Sequence, residues 1–140
     1  MKSMKNNIDR VIVARLEMGE DLYKALSELA LRKGIKAASL TVIGAVNAAK
    51  LGVYEGGKYE YMEHAGALEI ASCTGNVTLK EGKPLVHAHA VLTDHKGNVL
   101  GGHLVEGCTV SPTAEVVMNI LKHPIERAYD EESKLWLMNI

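Results

Sequence analysis

The 140-residue chain predicts an α+β fold: a single domain over residues 1–140, mainly antiparallel sheet, with one long helix over about residues 20–33 and minor helical pieces. Three observations lead there. Leucines recur at helical spacing in one stretch only, at Leu22, Leu26 and Leu29. After Gly34, apolar and β-branched runs alternate with turns rich in Gly, Asp and Asn. The length suffices for one core that needs no staples.

The elements follow in order. Ile8 to Glu17 contains Val11-Ile12-Val13-Ala14-Arg15-Leu16, a β-rich run that Gly19 ends. Glu20-Asp21 then places acids at the positive end of the helix. Glu20–Lys24 and Glu28–Arg32 are favourable pairs four apart, and Gly34 supplies a stop after Arg32-Lys33. The leucine stripe faces the core. Ile35 to Val46 reads as a strand broken by Gly44, Lys50 to Tyr54 as a second, and Gly56-Gly57 as a turn into Lys58–Met62. Leu68 to Leu79 is a long strand with Gly75 as a candidate bulge, and Glu81-Gly82-Lys83-Pro84 is a turn. Ser111-Pro112 has the form of a helix start, yet Glu115–Leu121 also suits a buried strand, and periodicity leaves both open. Asp130–Lys134 is a turn before a terminal Leu135–Met138 strand.

Candidate chemistry gathers in one hairpin. His87 and His89 alternate in Val86–Val91, so a strand presents both rings on one face. The turn-forming cluster Asp94–Asn98 reverses the chain toward Gly101-Gly102-His103. Pairing Thr93 with Val99 sets His89 directly opposite His103, with facing Cβ atoms about 5 Å apart. Three converging neutral imidazoles with room for water make a transition-metal site, zinc first among the occupants on ligand type. Gly101-Gly102 lacks the lysine and following helix of a phosphate loop, and fits a close backbone approach beside His103.

A catalytic metal also needs a proton-transfer group. Glu69, Glu106 and Glu115 are the candidate carboxylates, although Glu106 follows His103 by three residues and strand alternation turns it to the opposite face. Cys108 is a candidate closing ligand, with a small buried hydrophobe as the plainer role. Tyr54, Tyr59 and Tyr61 flank the Gly56-Gly57 turn as amphipathic hairpin packing, and His64, His95 and His123 have loop or turn settings.

Composition narrows the function classes. Hydrophobic residues make up 47% and charged residues 24%, as in an ordinary soluble domain, and phenylalanine is absent. Sixteen basic residues face seventeen acidic ones, so there is no surplus cation for phosphate neutralisation. Cys73 and Cys108 do not form a disulfide framework, which points to a reduced, cytoplasmic setting. The polar N-terminus lacks a signal-peptide core, and no run approaches the ~20 apolar residues that span a bilayer.

Several motifs together resemble the PPC (plants and prokaryotes conserved) domain. They include Gly19-Glu20-Asp21-Leu22, Ile43-Gly44-Ala45-Val46, Leu51-Gly52-Val53-Tyr54, Gly75-Asn76-Val77 and Arg127-Ala128-Tyr129-Asp130-Glu131. The most specific are His87-Ala88-His89 and Gly101-Gly102-His103-Leu104. The resemblance implies a compact α+β domain, a strand after Pro112, a homotrimer, and a metal unit formed by His87, His89 and His103. The family label often carries DNA binding, because plant members join the domain to an AT-hook. The hook's Arg-Gly-Arg-Pro core is absent here. Gly66–Ala71 also lacks the arginine and aromatic of the plant Gly-Arg-Phe-Glu-Ile-Leu stretch. DNA binding by this chain alone is therefore disfavoured. The leading expectation is a metal-binding homotrimeric module with a protein or small-molecule partner. The alternative is a small zinc-dependent lyase or hydrolase acting on a carbonyl or carboxylate substrate, since a His₃ zinc keeps a fourth position open.

Overall fold

In the computed structural model, which describes residues 1–140, there are eight strands and one helix. In chain order they are β1 (Ile8–Leu16), α1 (Leu22–Arg32), β2 (Ala38–Glu55), β3 (Lys58–Lys80), β4 (Lys83–Thr93), β5 (Val99–Leu104), β6 (Thr109–Leu121), β7 (Arg127–Asp130) and β8 (Leu135–Met138). Strand accounts for 64% of the chain and helix for 8%, which overturns the expected α+β class with its long helix. The fold is mostly antiparallel sheet with one short helix.

The physical reasons lie at the helix ends and in β6. Asp21 is the N-cap rather than a first-turn residue: its backbone is extended and its side chain accepts the Lys24 N–H. Lys33 caps the other end, and Gly34 follows with φ +60°, leaving 11 helical residues. No minor helical piece forms at Ser111-Pro112. There Val110, Ala114, Val116, Met118 and Ile120 are buried, and β6 bonds to β1 on one side and β2 on the other. Pro112, which has no N–H to donate, falls in the irregular stretch between the Val110 and Ala114 pairings.

Six strands form one sheet in the order β1-β6-β2-β3-β4-β5, and β5 pairs back onto β2 through Leu51–Leu104 and Gly52–His103. β2, β3, β4 and β5 therefore close a ring. The inner face holds the core, including Leu40, Val42 and Val46 of β2 and Val86, Ala88, Ala90 and Leu92 of β4. Leu22, Leu26, Leu29 and Ala30 of α1 join it, as the leucine spacing implies. Burying each such leucine contributes roughly 1.5–3 kcal/mol, and no aromatic ring is fully buried.

Glycines let the long strands bend and approach. Gly44 does not break its strand; it sits in a register shift of β2 with φ +138°, a conformation that favours glycine. Gly75 is no bulge either. Its register is regular on both sides, and the irregularities of β3 lie between Ile70 and Cys73 and between Ala65 and Leu68. No helix is long and apolar enough to cross a membrane.

Candidate metal centre

The β4–β5 hairpin pairs Thr93 with Val99 and His89 with His103, the register that the turn residues imply. Asp94 holds that turn by accepting the Lys96 and Asn98 backbone N–H groups. Because Val86, Ala88, Ala90 and Leu92 fill the core, alternation turns His87 and His89 to the outer face. His103 is held from both sides, by His89 of β4 and Gly52 of β2, where the ring closes. Glycine is required at this seam: a Cβ on Gly102 would lie 2.8 Å from the Gly52 carbonyl oxygen.

The three imidazole centroids are 5.0 Å (His87–His103), 5.3 Å (His89–His103) and 5.4 Å (His87–His89) apart. One nitrogen from each ring lies within 4.8 Å of the others. Zinc–nitrogen bonds of about 2.0–2.1 Å place tetrahedral ligands about 3.4 Å apart. Side-chain rotation would have to close that difference on metal binding, most freely at exposed His89. The protonation states fit as well. Burial, then the neighbouring His87 and His89, pushes His103 down to about 4. Burial, then Arg127 and His89, lowers His87. Rings held neutral keep a lone pair for a metal.

Around the triad stand residues that local spacing did not reveal. The Tyr59 ring lies 5.1 Å from His103, so this tyrosine is part of the site's wall as well as of its hairpin. Arg127 donates to Thr78 Oγ1 (2.7 Å), the Trp136 carbonyl (2.7 Å), Asn76 Oδ1 (3.1 Å) and His87 Nδ1 (3.3 Å). Arg127 comes from β7, forty positions from His87, and only its place in a family motif could have drawn attention to it.

The other candidates do not join the cluster. Glu69 is exposed and pairs with Thr93, four residues along β4 from His89. Glu115 is exposed on β6, opposite Arg15 and Ile43. Glu106 follows the end of β5 and shares a cavity with His103, but pairs with Lys24 at 3.1 Å. Cys108 is the small buried hydrophobe: its thiol donates to the Lys50 carbonyl at 3.4 Å, and burial pushes it up.

A ring-closed antiparallel sheet with one packed helix and three outward imidazoles defines a small β-domain with a histidine cluster at its seam. The chain belongs to the Plants and Prokaryotes Conserved (PCC) domain family, whose model matches residues 3–122. It is similar to a metal-containing protein from Archaeoglobus fulgidus, with 36% identity, all of both chains covered and a TM-score of 0.91. It is also similar to a plant- and prokaryote-conserved protein from Pyrococcus horikoshii, at 33% identity, 100% and 98% coverage and a TM-score of 0.89. A candidate DNA-binding protein from Ralstonia eutropha JMP134 is 29% identical, with 91% and 90% coverage and a TM-score of 0.83. Among curated proteins, the bifunctional protein GlmU of Synechococcus sp. (strain JA-3-3Ab) is 32% identical over 110 residues, 78% of this chain. The chain spans only 17% of that relative's length.

Proposed function

We propose that this chain is a metal-binding module whose His87, His89 and His103 hold one divalent ion, zinc by ligand type, within an assembly of three copies. The observation that carries the metal reading is the convergence of three ring nitrogens within 4.8 Å. The metal-containing relative from Archaeoglobus supports it. Bound there, zinc would act as a Lewis acid or water activator. None of Glu69, Glu106, Glu115 or Cys108 joins the triad, so the reading includes no proton-transfer step. Elemental analysis of protein purified without added metal should find close to one ion per chain, and far less in His89→Ala. Equal metal content in the two would refute the site.

Self-association is supported by the outer face of β1, β6 and β2, where Val11, Val13, Val117 and Ile43 are exposed. Val13 and Val117 are direct cross-strand partners, with Val11 and Ile43 nearby on the flanking strands, so exposed apolar side chains gather on a face that a free monomer leaves wet. Sedimentation equilibrium at micromolar concentration should give three times the 15.2 kDa chain mass. Val13→Glu should shift that mass downward; a monomer in the unaltered protein would contradict the assembly. A net charge of −1 offers little to phosphates, which disfavours DNA binding by this chain alone.

A further inference from the structure

The β7–β8 hairpin lies beyond the residues the family model matches, yet it walls a cavity of about 230 Å³ against His87 and His103. Tyr59, His87 and His103 line it together with Arg127, Leu135 and Trp136. Arg127 is the anomaly in this wall. It is partly buried, all four of its hydrogen-bond acceptors are neutral, and every ion pair in the molecule involves other residues. A cation drawn out of water without a counter-charge is costly, and an anion in the cavity would offset that cost.

Its longest bond points to the class of anion. At 3.3 Å, an Arg127 N–H donates to His87 Nδ1, which leaves the proton of a neutral ring on Nε2. A metal-ligating imidazole needs the reverse: a lone pair toward the ion, with the other nitrogen donating, often to a carboxylate. A carboxylate set between Arg127 and His87 accepts from both. The rest of the wall is largely apolar, Leu85, Leu135, Trp136 and Leu137 among it, and suits a short hydrocarbon tail. At about 230 Å³ the cavity falls below the usual ~300–1,000 Å³ of drug-sized sites and suits a small ligand, though it shares Tyr59, His87, His103 and Leu135 with a neighbouring cavity of about 420 Å³.

We propose that this cleft binds a small organic carboxylate, with its charge answered by Arg127 and its tail against the hairpin. The proposal rests on the metal reading in one respect. Zinc on the far nitrogen of His87 and acid at Nδ1 select the same tautomer, so each should tighten the other reciprocally.

Calorimetric titration of 3-methylbutanoate, acetate and 3-methylbutanamide into metal-free and zinc-loaded protein tests it. The branched acid should bind at least about tenfold tighter than its amide, and about tenfold more weakly to Arg127→Met. Leu135→Ser should weaken the branched acid while leaving acetate unchanged, and it keeps Arg127 intact should Arg127→Met fail to fold. Acid affinity should rise on zinc loading. If zinc does not load, the metal reading falls, and the metal-free titration still decides the carboxylate. Equal affinity for acid and amide, no acid binding in either form, or a well-folded Arg127→Met that binds like wild type would overturn the proposal. Equal acid affinity with and without zinc would overturn the coupling.

Discussion

Replacing Gly75 by alanine is expected to cost about 3 kcal/mol, the upper end of what overpacking a core costs and a large share of the ~5–15 kcal/mol that holds a domain folded. A Cβ at this position would lie 2.6 Å from Ala88 Cα and closer still to the His87 carbonyl oxygen. Both are backbone atoms of the paired strand, so no rotamer change makes room. β3 and β4 must separate, and they do so between His87 and His89. Metal affinity should therefore fall along with stability. Gly101→Ala is the internal control: it lies on β5, on the other side of β4, and its nearest neighbour, the Ala90 carbonyl oxygen, would be 3.6 Å away, an ordinary contact. Urea denaturation should show a strongly lowered midpoint for Gly75→Ala and little change for Gly101→Ala. Matching midpoints would show that the close approach costs nothing.

Acid is expected to destabilise the metal-free protein through the triad itself. In the folded chain His103 is pushed down to about 4, first by burial and then by His87 and His89, against 6.5 for a free imidazole. Between those values the unfolded chain binds the proton that the folded chain refuses. Stability from this group is thus complete above about pH 6.5 and is lost as the pH falls toward 4. His87, lowered by burial, Arg127 and His89, acts in the same direction. The rings are only half-buried, so solvent screening tempers the effect. Melting temperatures of the metal-free protein from pH 7.5 to 4.5 should decline, and less steeply in His103→Gln. Carboxylates titrate in both proteins, so the difference between the curves isolates the imidazole. Parallel curves would exclude His103 as the source. Zinc needs the same neutral rings and should be released completely as they protonate.

The histidine hairpin was legible in the sequence because everything that shapes it is local. Alternation sets the faces of His87 and His89, and Asp94–Asn98 sets the register. The leucine face of α1 was legible for the same reason. The fold class was not, because runs that read as separate short strands continue as two long ones, Gly44 lying within β2 without ending it, while Asp21 caps the one helix instead of entering it. The rest of the site was hidden because it joins distant segments. Gly52 meets His103 only through ring closure, and Arg127 reaches His87 from a separate two-stranded sheet. No periodicity records such encounters.

The position of β1 has a consequence for how the chain acquires its shape in time. Neighbouring strands β2 through β5 form a succession of hairpins, each able to pair soon after it is made. β1 cannot: its only sheet partner is β6, with Leu16 against Ala114 and Ile8 against Leu121. On a ribosome the first strand thus waits roughly a hundred residues for its partner, a non-local pairing of the kind that slows folding. During that wait its alternating Val11, Ile12 and Val13 are open to other chains, and so is the edge of β2 that β6 will cover. The hairpin bearing the triad can form before the molecule is whole; the docking of β6 between β1 and β2 is the step that completes the sheet.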